Sequence, residues 1–105
     1  MIHVENSQQF DETIQTGVTL VDFYATWCGP CRMLAPFVEE IENDYLDKIK
    51  VVKLDVDECS EIAARYAINA IPALLVFKDG ELAKSNVGFI PKDEISNMLD
   101  DVLSE

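Results

Sequence analysis

At 105 residues and 49% hydrophobic composition, the chain is sized for one domain, residues 1–105, with a core that needs no disulfide staples. Twenty acidic against eight basic residues give a net charge of −12, which repels phosphate backbones and anionic lipid and argues against nucleic-acid and membrane partners. Met1 to Asn6 lacks the charged-then-apolar layout of a secretion signal, and the apolar run Ala70 to Phe77, about eight residues, is far short of the ~20 that span a bilayer.

Ile2-His3-Val4 is a short strand candidate, and Ser7 is placed to cap a helix through about Thr16, with Phe10 and Ile14 on one face. Gly17 stops that helix. Thr19 to Tyr24 is almost continuously apolar, as expected of a strand covered on both faces. A helix follows from Met33 to Tyr45, because Leu34, Phe37, Val38, Ile41 and Tyr45 recur at helical spacing. Pro36 removes one backbone donor inside it and predicts a kink. Val51 to Val56 reads as a strand, and Cys59, Ile62, Ala63 and Tyr66 form the apolar face of a short helix. Ala73 to Phe77 reads as a buried strand, and Asp79-Gly80 turns it into a hairpin with Glu81 to Val87. Gly88 breaks that strand. A last helix follows Pro91, with Ile95, Met98, Leu99 and Val102 inward. This βαβαβαββα order predicts an α/β sandwich with parallel early strands and a final antiparallel hairpin.

Between the second strand and the second helix stands Trp27-Cys28-Gly29-Pro30-Cys31. A cytoplasmic protein is the expectation, and cysteines in a reducing compartment point to catalysis or metal rather than a structural staple. Two cysteines three apart in a helix's first turn can close a disulfide and reopen it. Gly29 lets the backbone turn and leaves room for an approaching chain; Pro30 suits a first turn, where its missing N–H costs nothing. Unpaired amides and the positive end of the helix dipole stabilise a thiolate on Cys28, which nominates it as the attacking thiol. Cys31, one turn inward and more covered, suits the resolving role. The competing reading is half of a zinc site, but structural zinc needs four ligands and only Cys59 and His3 remain elsewhere. No metal is therefore expected. Cys59 reads as a packed small hydrophobe, with Asp57, Glu58 and Glu61 opposing its ionisation; a regulatory disulfide is the sharper alternative. His3 reads as solvated.

The segment Val21-Asp22-Phe23-Tyr24-Ala25-Thr26-Trp27-Cys28-Gly29-Pro30-Cys31-Arg32 closely resembles the thioredoxin family. The similarity continues through Lys53-Leu54-Asp55-Val56-Asp57, Ile71-Pro72-Ala73, Phe77-Lys78-Asp79-Gly80 and Val87-Gly88, in the same order along the chain. The resemblance implies a thioredoxin fold, a five-stranded mixed sheet flanked by four helices. It implies a reductase of protein disulfides, recharged by a thioredoxin reductase that draws on NADPH. No GxGxxG follows a strand here, so no cofactor is expected on the chain itself and NADPH is used indirectly. The expected partners are that reductase and disulfide-containing proteins, met by a monomer.

The resemblance also gives roles to residues outside the pentapeptide. Asp22 interrupts an apolar strand, where burial would raise its pKa. The resemblance puts it beneath the dithiol, moving the proton of Cys31; a satisfied Asp at a strand edge is the plainer reading. Lys53 resembles the lysine beside that Asp, although an alternating strand could equally turn it to water. From the residues alone Pro72 reads as an ordinary trans loop proline, but Ile71-Pro72 resembles the family's cis-proline next to the dithiol, presenting the Ile71 backbone to an extended substrate chain. Trp27, Gly29, Pro30, Ile71, Pro72, Val87 and Gly88 would then form a shallow apolar docking surface of broad selectivity. Departures from the pattern are Tyr24 where many relatives carry tryptophan, Arg32 for a common lysine, Ala73 for threonine, and Phe89, which enlarges the apolar rim. A thioredoxin-like subunit that merely holds a partner enzyme through this face is the rival from another class; a disulfide oxidase or isomerase is a third reading, disfavoured by the Gly-Pro dipeptide.

Overall fold

Every residue of the apolar run Val18–Tyr24 except Tyr24 is buried, because the run becomes the central strand with helices on both faces. A computed structural model describes residues 1–105. Its elements are β1 (Ile2–His3), α1 (Ser7–Ile14), β2 (Val18–Tyr24), α2 (Gly29–Asp44), β3 (Lys50–Asp55), α3 (Ser60–Arg65), β4 (Ala73–Lys78), β5 (Glu81–Val87) and α4 (Lys92–Leu103). The five strands lie in the order β1-β3-β2-β4-β5. β1, β3 and β2 run parallel, and β4 and β5 join antiparallel. With four helices, this is the five-stranded mixed thioredoxin fold that the sequence implies.

Side chains alternate across a strand, so the register sorts the core into two layers. Val21 and Phe23 of β2, Val52 and Leu54 of β3, and Leu75 and Phe77 of β4 pack against Phe10, Ile14 and Ile62 of α1 and α3. On the other face, Leu20, Val51, Leu74 and Val76 meet Leu34, Val38 and Ile41 of α2 and Ile95, Leu99 and Val102 of α4. Asp22 is directly opposite Lys53 in the β2–β3 register and, two residues on, Tyr24 is opposite Asp55. All four therefore belong to the α2/α4 face, at the end of the sheet where β2 hands the chain to α2. Asp22 lies on the central strand, not at a strand edge as the plainer sequence reading has it.

Two local expectations change. Asn6, not Ser7, caps α1: its side-chain oxygen accepts from the Gln9 amide at 2.8 Å, leaving Ser7 as the first helical residue. Helix α2 begins at Gly29 with Cys28 at its start, as the pentapeptide implies, and the periodic apolar residues follow from Leu34. It continues through Pro36 to Asp44. Cys59 precedes α3 rather than riding on its face. Replacing Asn6 with alanine removes the α1 cap and is expected to lower the unfolding free energy by ~1 kcal/mol, readable in urea titrations.

Candidate active site

Strand β2 ends at Tyr24, and α2 begins at Gly29. The turn between them closes when the Cys28 amide donates to the Ala25 carbonyl at 3.2 Å. Cys28 is then the N-cap of α2, in an extended conformation, with Pro30 in the first turn where no backbone donor is missed. Cys31 follows one turn in. The two Cα atoms are 5.3 Å apart and the sulfurs are joined as a disulfide. The Cys31 amide donates to Cys28 Sγ at 3.2 Å. Sulfur here occupies the place that the Asn6 oxygen occupies at the start of α1. Negative charge developing on Cys28 Sγ meets a donated N–H and the positive end of a 16-residue helix.

Both cysteines are buried residues, and they differ in their place on the helix. Ala25 and both cysteines form a small cluster of their own, closed by Tyr24, Val56 and Ile71.

Beneath that end of the sheet, Asp22 is 1% exposed and neither carboxylate oxygen has a protein hydrogen-bond partner. Burial pushes its pKa up to about 6 from 3.8, and the positive charge of Lys53 opposes that rise. The Lys53 ammonium is 3.9 Å from Asp22 Oδ2, so the lysine turns inward and not to water. It also lies over the Tyr24 ring, with Nζ 4.4 Å from the centroid. A cavity of about 250 Å³ lined by Tyr24, Cys31, Arg32 and Lys53 opens beside this group. Lys53 thus joins Asp22, which it approaches, to the cavity that Cys31 also lines.

The proposed docking residues fall on both sides of the dithiol. The Ile71–Pro72 peptide is cis, and half-buried Ile71 packs on the cysteine cluster. Pro72 is buried and supports the loop from within. Its carbonyl accepts from the Gly88 amide at 2.8 Å, and Ala73 pairs with Val87, so Val87-Gly88 runs alongside. Pro30, Val87 and Trp27 are exposed and Gly29 is half-buried. Trp27 reaches away from the β4–β5 side, its indole N–H donating to Asp57 Oδ2 at 2.8 Å.

Two contacts escape the sequence reading. The sequence reading gives Asp57 no contact with Trp27, whereas it accepts the Trp27 indole N–H. Phe89 packs on Phe37, ring centroids 5.7 Å apart, with exposed Met33 one turn before Phe37 on α2. Helical spacing of Met33 and Phe37 is the available signal for that second patch.

Cys59 is buried, and its thiol donates to the Val4 carbonyl at 3.4 Å. Burial, then the charges of Glu58, Asp55 and Glu5, raise its pKa, so it packs as a neutral thiol. His3 is exposed. No group of three His, Cys, Asp or Glu side chains is arranged to hold a metal ion. No helix is long and apolar enough to cross a membrane.

A family model described as thioredoxin matches residues 1–101. A thioredoxin of Staphylococcus haemolyticus (strain JCSC1435) is 55% identical over 91 residues, 87% of this chain and 88% of that protein. Among solved structures, a mutant thioredoxin from Halobacterium salinarum NRC-1 is 35% identical with a TM-score of 0.88, over 95% of this chain and 88% of that one. Plasmodium falciparum thioredoxin is 32% identical with a TM-score of 0.89, over 96% of this chain and 98% of that one.

Proposed function

Because this chain belongs to the thioredoxin family, it is a protein thiol–disulfide oxidoreductase that carries no bound cofactor, and we propose the following roles within its dithiol. The Cys28 thiolate attacks one sulfur of a target disulfide. A Cys28–target bond forms, the target's own S–S bond breaks, and the departing sulfur takes a proton. Asp22, as a carboxylate, accepts the proton of Cys31. The Cys31 thiolate then attacks Cys28 Sγ, closes the Cys28–Cys31 bond and releases the second target sulfur. The target gains two electrons and the dithiol loses two. A thioredoxin reductase, drawing on NADPH, restores the dithiol.

The observation that carries this direction of attack is the Cys31 amide on Cys28 Sγ at the first turn of α2. Only Cys28 has its sulfur at that donor, which lowers the free energy of its thiolate. For Asp22 the supporting facts are its burial, its raised pKa of about 6 and Lys53 at 3.9 Å. A carboxyl titrating there can exchange a proton near neutral pH, which an ordinary surface Asp cannot. Lys53 supports it by keeping part of the population ionised.

Substrate docking is assigned to Trp27, Gly29, Pro30, Ile71, Val87 and Gly88, with Pro72 holding the Ile71 backbone toward an extended chain. Phe89 and Met33 extend this rim. Phe89→Ser is expected to raise the KM for a folded protein disulfide about fivefold while leaving turnover of a small disulfide unchanged, because it removes ~1 kcal/mol of apolar contact. The same reading takes residues 1–105 as a single domain acting as a cytoplasmic monomer, and its charge of −12 turns it from nucleic acid and anionic membranes.

Insulin-disulfide reduction driven by NADPH and thioredoxin reductase tests the assignment. The wild-type chain is expected to turn over many insulin equivalents; no turnover overturns the reading.

A further inference from the structure

We propose that Tyr24 is a positioning residue whose ring holds the Lys53 ammonium over Asp22. Its importance for turnover rests on the reading of Asp22 as the proton carrier. The geometric case stands apart from that reading.

The register brings Lys53 opposite Asp22, but it does not fix where a four-carbon stem ends. A lysine at this end of the sheet can reach water. Here the side chain is 17% exposed and stays inside. At 3.9 Å from Asp22 Oδ2 the ammonium is beyond hydrogen-bond distance, so no hydrogen bond to the carboxylate holds it. The group that covers it is the Tyr24 ring, 4.4 Å away, where the negative face of an aromatic attracts a cation. Strand alternation makes this possible: Asp22 and Tyr24 are two apart on β2 and share one face, with Lys53 on that same face of the neighbouring strand, opposite Asp22.

The other groups at this end are accounted for. From β4, Asp22 meets Leu74, which carries no charge. From α2 come the Cys28–Cys31 disulfide and Arg32, whose guanidinium donates to the Thr26 carbonyl at 2.9 Å. Asp55 on β3, Glu58 beyond it, Asp22 itself and Cys59 act on the Tyr24 hydroxyl, which burial first and these charges second push upward, so Tyr24 stays neutral. Lys53 is thus the one cation whose placement decides how readily Asp22 ionises, and Tyr24 fixes that placement.

The test follows the Asp22 carboxyl by 13C NMR across a pH titration of the oxidised protein. Tyr24→Leu removes the ring, frees Lys53 and is expected to raise the Asp22 midpoint by about half a pH unit. Tyr24→Phe keeps the ring and is expected to leave the midpoint in place. Lys53→Met raises it, and adding Tyr24→Leu to Lys53→Met brings no further rise. An unchanged or lowered midpoint in Tyr24→Leu overturns the proposal, as does an equal rise in the Lys53→Met background. In the wild type, the Lys53 ε-methylene protons are expected upfield from the ring current; unshifted protons overturn it without any variant. The resolution rate is read separately. If it ignores a midpoint that moved, the fault lies with Asp22 as proton carrier and not with Tyr24.

Discussion

Cys28→Ser abolishes insulin reduction, with a loss on the order of 10³-fold or more, and Cys31→Ser halts after one step with the target still attached. The two outcomes differ because the two sulfurs stand differently on α2. A serine hydroxyl at position 28 keeps the cap geometry but does not ionise near neutral pH, so no nucleophile forms at the helix start. In Cys31→Ser the attacking sulfur is intact and lacks only the group that displaces it. The covalent complex therefore accumulates and is seen by non-reducing electrophoresis or intact mass. A reversed pattern, with the covalent complex trapped by Cys28→Ser, would reverse the direction of attack. Cys28→Ser/Cys31→Ser separates enzyme from holder: a protein that only grips a partner keeps its biological role without either sulfur.

Much of this site can be read from the chain because its parts are local or follow from strand alternation. The first turn of α2 is written in five consecutive residues. Asp22 stands out as the lone carboxylate in an apolar strand, and two-residue periodicity puts Tyr24 on its face. What the sequence leaves open depends on tertiary choices. Lys53 could turn either way on its strand, and in the fold its ammonium lies by Asp22 and the Tyr24 ring. Asn6 rather than Ser7 caps α1 because capping is decided by one backbone conformation, and both residue types compete well for it. Cys28 and Cys31 are both buried in a cluster to which Ile71, distant in sequence, adds its side chain. The Trp27–Asp57 and Phe37–Phe89 contacts join segments that no periodicity links.

Asp22→Asn is expected to stabilise the folded protein at pH 7 by roughly 2–3 kcal/mol while slowing resolution of the mixed disulfide. The sign follows from linkage. The carboxyl titrates near 3.8 when the chain is unfolded and at about 6 in the fold. As pH rises between those values the unfolded state gives up its proton first, so native stability falls through that window and is level above it. At 1% exposure the group has little solvent screening to reduce the effect, and Asn is neutral at every pH. The variant's advantage is therefore full above about pH 6 and vanishes below about pH 4. Urea titrations at several pH values read this directly: a constant difference would mean packing rather than ionisation is responsible. The chemical cost appears in stopped-flow kinetics. Formation of the mixed disulfide needs only the Cys28 thiolate and changes little. Resolution needs the Cys31 proton removed, and it slows. Equal slowing of both steps would count against Asp22 as the proton carrier. A residue whose removal strengthens the fold and weakens one half-reaction is held against stability by the chemistry it serves.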